Sequence, residues 1–401
     1  MTAARGSWLG LRGRVWLMTL GHLVIDSNGA VLFALLPLFV TNLHINFAQA
    51  GALATLLLVT SSVTQPVFGA LHDRSPNFPM ASVGLIIAGI AMGLTGFAVT
   101  YTQMIALVLL CGLGVAAFHP QAVAQTSRAS ADHQAWGIAV FFTGASVGTA
   151  MMSLLIVPLA AQFGSHATLV VLVPAVIAAV LFGRAYSSWI QPAARAAGGA
   201  GAAASIRAVA VPLSMLVTIS VLRSAVVTAY LTFLPTLVVF KTGSLGFGAA
   251  VLASFLFAGS IGTLIGGAAA QAVGGAPVVI ASLVAGLLCL LPVPWLPGGL
   301  LLPWMVMVGL VMFGADPQIT ALGQRLLPAF VGVASSLIMG VGLGFGNGGA
   351  FVTGLLADRL GIQVALTAVT LLMVGAIVAA GVYIIAMRRR PPAAAAPAPG
   401  V

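Results

Sequence analysis

Charged side chains are scarce in this sequence. They make up 5% of its 401 residues, whereas apolar residues make up 61%. Water-soluble domains carry about 25% charged residues, because a folded surface must stay hydrated. The 15 basic and 5 acidic side chains are too few to coat a protein of this length. Most of the surface must therefore face lipid, which excludes a large extramembrane catalytic domain.

Cysteine is rare and glutamate is absent. The two cysteines, Cys111 and Cys289, lie inside apolar runs, so they indicate neither a disulfide framework nor a metal site. An enzyme acting within the membrane would need a nucleophile with its base, or a cluster of metal ligands, and the sequence has no such motif. We therefore expect no catalytic residue, no metal and no cofactor, and we keep an intramembrane enzyme only as a remote alternative.

Long apolar runs fill nearly the whole chain. A bilayer core of about 30 Å needs about 20 apolar residues per helical crossing, and continuous runs differ from the alternating pattern of membrane β-strands. The sequence predicts an all-α integral membrane protein with twelve transmembrane helices in two six-helix bundles. The predicted helices lie near residues 15–40, 49–72, 80–100, 103–125, 136–162, 166–189, 208–240, 246–273, 277–296, 300–323, 331–357 and 363–387.

Composition also divides the chain into parts. The Ala- and Gly-rich stretch 191–206 is the predicted cytoplasmic linker between bundles at 1–190 and 207–387. The Pro/Ala-rich segment 388–401 is predicted to be a disordered cytoplasmic tail.

Basic residues lie singly between the apolar runs, which argues against a nucleic acid partner and for membrane orientation. With a cytoplasmic N-terminus, the inner loops hold 12 Arg, the outer loops hold Lys241 and Arg359, and Arg223 lies within a helix, which accounts for all 15. Because short cytoplasmic loops attract Lys and Arg, both termini are predicted to be cytoplasmic.

The two halves of the chain repeat one another at an offset of about 198 residues. The segment 112–124 reads GLGVAAFHPQAVA and the segment 309–321 reads GLVMFGADPQITA. Gly144 and Gly148 in the fifth helix match Gly342 and Gly346 in the eleventh. A duplicated six-helix unit with both copies in one orientation is typical of transporters whose substrate binds between the halves near the bilayer midplane.

Ionisable side chains within the predicted helices are few: His22, Asp26, His119, Arg223 and Asp316. Each costs at least about 2.5–3.5 kcal/mol in a bilayer, so each needs a partner or a watery cavity. They lie in helices 1, 4, 7 and 10, the first helices of the four three-helix units. We expect them to line one shared cavity.

The central carboxylate is the predicted proton-coupling group. Asp26 lies near the middle of its helix, and His22 lies one turn earlier on the same face. A carboxyl in that position can take up and release a proton as its surroundings change. The alternative is that the pair only stabilises helix 1.

Arg223 is the only permanent cation within a span. Its guanidinium suits carboxylate, phosphate or phosphonate oxygens, so it is a predicted anion-binding group and a counter-ion to Asp26. The alternative is a fixed salt bridge between the halves.

Two titratable residues precede prolines, in His119-Pro120 and Asp316-Pro317. Proline bends a helix and frees a backbone carbonyl, which suits a binding site; a packing kink is the alternative. We expect both residues to bind substrate. Five amides are further substrate-binding candidates or interhelical hydrogen-bond partners: Asn28, Gln65, Gln121, Gln318 and Asn347.

The end of helix 2, Gly69 with Asp73-Arg74, resembles the loop signature of the major facilitator superfamily. Glycine permits close helix contact, and the carboxylate can sit against the N-terminus of helix 11, so these residues are predicted to gate the inner side. A similar spacing, Gly354 with Asp358-Arg359, ends helix 11 and is interpreted as an ordinary polar helix end.

The sequence resembles one branch of that superfamily, the fosmidomycin resistance protein family. The likeness rests on these residues: His22, Asp26 and Pro37; Ser61-Ser62, Gln65-Pro66, Gly69 and Asp73-Arg74; Gly112-Leu113-Gly114 and Phe118-His119-Pro120. The resemblance implies a monomeric carrier in the bacterial inner membrane that uses inward proton flow to remove fosmidomycin-like phosphonates or other small toxic compounds. Proton-coupled uptake of a small anionic metabolite is the alternative, because direction is not written in the sequence.

Overall fold

The computed structural model describes residues 7–8, 11–75, 78–130, 134–186, 207, 209–330, 334 and 336–389. Almost all of these residues are helical, and the strands among them are the short antiparallel pair Ser7–Trp8 and Leu11–Arg12. The predicted linker 191–206 and the tail beyond residue 389 lie outside the described residues.

Twelve helical crossings account for the described chain, as the sequence predicts. Eleven stretches are long and apolar enough to span a membrane, and one of them, Val140–Ala185, is 46 residues long and holds two crossings. In chain order, helices 1 to 12 are Gly13–Leu43; Phe47–Val63 with Gln65–Arg74; Met80–Leu94; Tyr101–Ala129; Gln134–Phe163; Leu172–Tyr186; Ala210–Thr242; Leu245–Val273; Gly275–Leu290; Leu301–Met312 with Asp316–Leu326; Ser336–Leu343 with Gly344–Gly346 and Gly349–Leu360; Ile362–Thr370 with Leu372–Arg388.

Helix 10 is interrupted where the sequence predicts a bend. A short 3-10 turn, Phe313–Ala315, separates its two α-helical segments, and Pro317 stands in the first turn of the second segment. Proline is tolerated at that position because the first turn of a helix needs no backbone N–H donor. Helix 4 differs, since it continues as one α-helix past Pro120.

Within each half, small residues bring the first and fifth helices together. A Cβ atom on Gly148 of helix 5 would collide with the Leu23 carbonyl of helix 1. A Cβ atom on Gly346 of helix 11 would collide with Ser224 of helix 7 in the same way. The internal repeat aligns Gly148 with Gly346, and these two glycines make equivalent contacts. They hold helices 1 and 7 at fixed positions in their bundles.

Three helix pairs make the most extensive contacts between the two six-helix bundles. Helix 1 packs against helix 7, helix 2 against helix 11, and helix 5 against helix 8. Helices 1 and 7 carry Asp26 and Arg223, so the contact between the halves runs beside the helices that carry the predicted site residues.

Candidate functional site

Three ionisable side chains of the N-terminal half form one cluster. The Oδ2 atom of Asp26 lies 3.3 Å from Nε2 of His22, and its Oδ1 atom lies 3.7 Å from Nε2 of His119. The two histidine Nε2 atoms are 3.2 Å apart. The structure thus brings the predicted proton-coupling pair together with His119, which belongs to helix 4.

Backbone carbonyls hold both imidazole rings. Nδ1 of His22 donates to the Phe141 carbonyl of helix 5 at 2.8 Å, and the two rings of these residues stack with centroids 4.0 Å apart. Nδ1 of His119 donates to the Val115 carbonyl one turn earlier in helix 4, also at 2.8 Å. His22 is buried, whereas the Asp26 side chain is 29% exposed. The cluster therefore has two oriented rings and one open side, at the carboxylate.

The C-terminal half has its own charged pair. Nη1 of Arg223 donates to Asp316, and Nη2 donates to the Met312 carbonyl at 2.7 Å. Met312 ends the first segment of helix 10, so the interruption of that helix supplies a carbonyl for the guanidinium. Arg223 is buried, while the Asp316 side chain is 41% exposed. The Nε atom of Arg223 is buried and has no hydrogen-bond partner.

These contacts correct the expected partner of Arg223. The predicted ion pair between Arg223 of one half and Asp26 of the other is wrong. Arg223 pairs with Asp316, which belongs to the same half. Asp26 finds its partners in His22 and His119 instead. The reason is local: helix 10 lies beside helix 7 within its own bundle, so the nearer carboxylate neutralises the guanidinium.

Two of the predicted amides are engaged within the N-terminal half. Gln121 is buried; its Oε1 accepts from the Ala81 amide at 2.7 Å, and its Nε2 donates to the Phe78 carbonyl at 3.3 Å. The side chain thereby caps the first turn of helix 3. Asn28 is also buried and donates to carbonyls of its own helix, at Val24 and Ile25, while its Oδ1 has no partner.

Asn347 ties three helices together. Its Oδ1 accepts from Ser224 at 3.3 Å and from Thr228 at 3.1 Å, both in helix 7. Its backbone carbonyl accepts from Thr55 of helix 2 at 3.0 Å. The residue stands at the interruption of helix 11, where the backbone is free to make such a contact between the halves.

Gln65 and Gln318 are half-buried. Gln65 begins the second segment of helix 2, and Gln318 lies in the second segment of helix 10 beside Gly275. Both therefore keep some of their amide surface exposed.

The predicted inner gate is only partly visible. Gly69 faces helix 4, where a Cβ atom on it would lie 3.8 Å from Pro120. The side chains of Asp73 and Arg74 lie outside what the structure describes, so their gating role stays a prediction.

At the opposite end of helix 2, a carboxylate of the other half lies against a helix N-terminus, which is the role predicted for Asp73. Asp358 of helix 11 accepts from the Phe47 amide at 2.8 Å and from the Ala48 amide at 2.9 Å. Helix 2 begins at Phe47, so the carboxylate neutralises two orphan amides at the positive end of that helix. Interpreting Asp358 as an ordinary helix end was wrong. The sequence signal that was missed is the spacing between Gly354 and Asp358, which equals that between Gly69 and Asp73.

Glycines bring the backbones together at the same end. A Cβ atom on Gly354 would collide with the Phe47 carbonyl, and one on Gly51 would collide with the Ala350 carbonyl. We call Gly51, Phe47, Ala350, Gly354 and Asp358 the outer clamp, because the predicted orientation places them at the outer face. The clamp joins helix 2 of one half to helix 11 of the other.

Known proteins are similar to this chain in sequence. The family model of the Major Facilitator Superfamily matches residues 18–348. The chain is 28% identical over 375 residues to the uncharacterized MFS-type transporter YfnC of Bacillus subtilis (strain 168), covering 89% of this chain and 90% of that protein. It is 27% identical over 375 residues to the Fosmidomycin resistance protein of Escherichia coli (strain K12), covering 90% of this chain and 89% of that protein. The resemblance seen in the first helices therefore extends along the chain and is confirmed.

Solved structures agree on the architecture. A bacterial homologue of the human lysosomal transporter Spinster, in an inward-facing and occupied conformation, superposes with a TM-score of 0.77 at 14% identity, over 93% of this chain and 96% of that one. The nucleoside transporter NupG superposes with a TM-score of 0.70 at 17% identity, over 94% of this chain and all of that one (100%). With its twelve apolar crossings and a family model that matches residues 18–348, the chain belongs to the major facilitator superfamily of membrane transporters.

Proposed function

We propose that this transporter is a proton-coupled efflux carrier of the bacterial inner membrane. Its cargo is fosmidomycin-like phosphonates or other small toxic compounds, moved by alternating access. The observation that carries the proposal is the presence of one ionisable cluster in each half, on helices 1 and 4 and on helices 7 and 10. The similarity to the Fosmidomycin resistance protein of Escherichia coli supports the cargo class.

The N-terminal cluster is the proposed proton site. Asp26 is partly exposed and adjoins two imidazole nitrogens, so a proton that enters can be shared among three groups. An ionised carboxylate in contact with hydrocarbon is costly, so its exposed side is best accounted for by a wet space between the halves. Proton uptake removes the negative charge of the cluster, and with it the need for a wet space beside the carboxylate.

The C-terminal pair is the proposed cargo site. Arg223 stays charged and presents a planar fork that matches carboxylate and phosphonate oxygens. Asp316 now occupies part of that fork, and its exposed side lets an anionic cargo displace it. The free Nε donor of Arg223 offers one more hydrogen bond to such a cargo. Gln318, two residues after Asp316, is a further proposed donor.

The moving parts are the two bundles, proposed at 1–190 and 207–387 and joined by 191–206. The outer clamp closes one end, with Asp358 on the N-terminus of helix 2. We propose that Asp73 closes the other end after the halves rock. Cargo binds from inside while Asp26 loses its proton, and protonation of Asp26 from outside releases the cargo.

The test is transport in proteoliposomes that contain the purified full chain. Asp26→Asn should abolish efflux driven by a pH gradient while leaving exchange of cargo without a gradient, because the carboxyl couples the proton rather than holding the cargo. Arg359→Gln removes an exposed charge from the membrane surface and should transport normally. Full gradient-driven transport by the Asp26 variant would remove this residue from the coupling role.

Direction is tested separately from coupling. Expression of an exporter should raise the fosmidomycin concentration that cells tolerate, whereas an importer should lower it. Counterflow in vesicles of known orientation then distinguishes export from proton-coupled uptake of a small anionic metabolite.

A further inference from the structure

The N-terminal cluster has the geometry of a metal site. One atom each from His22, Asp26 and His119 lie within 4.8 Å of one another. The separations are 3.2 Å between the two Nε2 atoms, 3.3 Å from His22 Nε2 to Asp26 Oδ2, and 3.7 Å from His119 Nε2 to Asp26 Oδ1. A tetrahedral zinc ion with bonds of about 2.0–2.1 Å sets its ligand atoms about 3.3 Å apart.

The hydrogen bonds of the two rings make the centre of the cluster a set of acceptors. A backbone carbonyl can only accept, so Nδ1 of His22 and Nδ1 of His119 each carry the hydrogen that they donate at 2.8 Å. In a neutral ring the Nε2 atom then bears a lone pair. Two lone pairs and a carboxylate thus face one another with no donor among them. The arrangement is favourable only when a cation lies between them.

We propose that His22, Asp26 and His119 bind a divalent transition metal ion, with zinc as the representative case. Imidazole and carboxylate ligands suit Zn²⁺, Ni²⁺ and Cu²⁺, whereas Mg²⁺ and Ca²⁺ prefer sites made of oxygen atoms. Histidines that ligate metals usually donate their other nitrogen to a carbonyl or carboxylate, as both rings do here. The open side at Asp26 leaves a fourth coordination position for water or an anion.

Spacing along the sequence does not indicate this site. His22 and Asp26 lie one turn apart, but His119 is 97 residues from His22 and comes from a different helix. A motif search therefore finds two ligands, which is too few. The third arrives only when helices 1 and 4 pack. A metal ion would occupy the same lone pairs that the proposed function assigns to a proton, so the two cations exclude one another.

Equilibrium binding of Zn²⁺ to the purified full chain tests the proposal without any transport assay. The protein must carry no histidine tag, and Mg²⁺ serves as the comparison ion. We expect one equivalent of Zn²⁺ to bind, and His119→Gln to weaken that binding by at least about tenfold. His166→Gln removes an exposed histidine elsewhere and should bind Zn²⁺ as the unaltered chain does.

Cobalt supplies a second readout of the same site. Co²⁺ in a site with three protein ligands should show ligand-field absorption that Asp26→Asn alters and His166→Gln preserves. Zn²⁺ binding that is equally tight in the His119 and Asp26 variants would overturn the proposal, and so would the lack of a bound equivalent in the unaltered chain. Size-exclusion profiles identify any variant that fails to fold, in which case the other variant decides. Because these measurements need no proton gradient, their outcome is independent of whether the carrier is proton-coupled.

Discussion

Asp26 and Arg223 occupy equivalent positions in the two halves, and each has its partner inside its own half. An offset of 197 residues carries Asp26 onto Arg223 and carries His119 onto Asp316. The acid lies on the first helix and the base on the fourth in one half, and the order is reversed in the other. The duplicated unit has kept the pairing of its first and fourth helices, while the acidic and basic residues have exchanged positions between the halves.

Removal of the guanidinium should cost affinity for anionic cargo. Arg223→Ala is expected to weaken fosmidomycin binding to the purified chain at least about tenfold, which corresponds to about 1.4 kcal/mol. Asp316→Asn should bind as tightly or more tightly, because it removes the carboxylate that competes for Arg223. Calorimetry checks both variants. Unchanged affinity in Arg223→Ala would rule out the anion site.

Loss of the Asp358 carboxylate should open the outer clamp more often. Asp358→Ala removes the acceptor for two amides at the start of helix 2, worth about 1 kcal/mol for a helix cap. Such a change shifts a two-state equilibrium about fivefold. Leu58 of helix 2 is half-buried and packs against a cluster that includes Ala54 of its own half and Leu252 of the other. The reporter is the labelling rate of Leu58→Cys by a membrane-impermeant maleimide, with Cys111 and Cys289 replaced by alanine.

Arg359→Ala is the matched control for that clamp experiment, since it removes the neighbouring charge and leaves the two hydrogen bonds. Its labelling rate should equal that of the unaltered chain. Equal labelling of Asp358→Ala as well would mean that the carboxylate does not hold this end closed.

A side chain at Gly51 should prevent the clamp from closing. The Cβ of Gly51→Val would collide with the Ala350 carbonyl of helix 11. We expect faster labelling at position 58 and little transport. Gly267→Val is the control, because a Cβ atom there meets nothing within 4 Å. Normal transport by the Gly51 variant would show that this close approach is dispensable.

Gln121 and Gln318 should respond differently although the repeat pairs them. Gln121→Leu leaves the Ala81 amide without its acceptor, a loss of about 1–3 kcal/mol for a buried group, so the melting temperature should fall while cargo affinity stays the same. Gln318→Leu should do the reverse, because its amide is half-buried and the proposed function makes it a donor to the cargo. Thermal unfolding in detergent and fosmidomycin binding separate the two effects. If both variants lost only affinity, the capping role of Gln121 would be wrong.

Much of the candidate site could be predicted because ionisable residues are so rare within the helices. His22, Asp26, His119, Arg223 and Asp316 stand out by their cost in lipid alone. The pairs that these residues form were harder to predict. Arg223 was expected to be the counter-ion to Asp26, but it pairs with Asp316. Asp358 was undervalued because the partner that gives it a role, the start of helix 2, is 311 residues away.

The sequence by itself determined the number of helices, their limits to within a few residues and the duplication of the six-helix unit. It could do so because lipid demands long apolar helices whatever they pack against. Only the tertiary structure decided the partners. Helix rotation, set by close contacts such as that of Gly148 with Leu23, turns each polar group toward one neighbour, and no spacing along the chain encodes that angle.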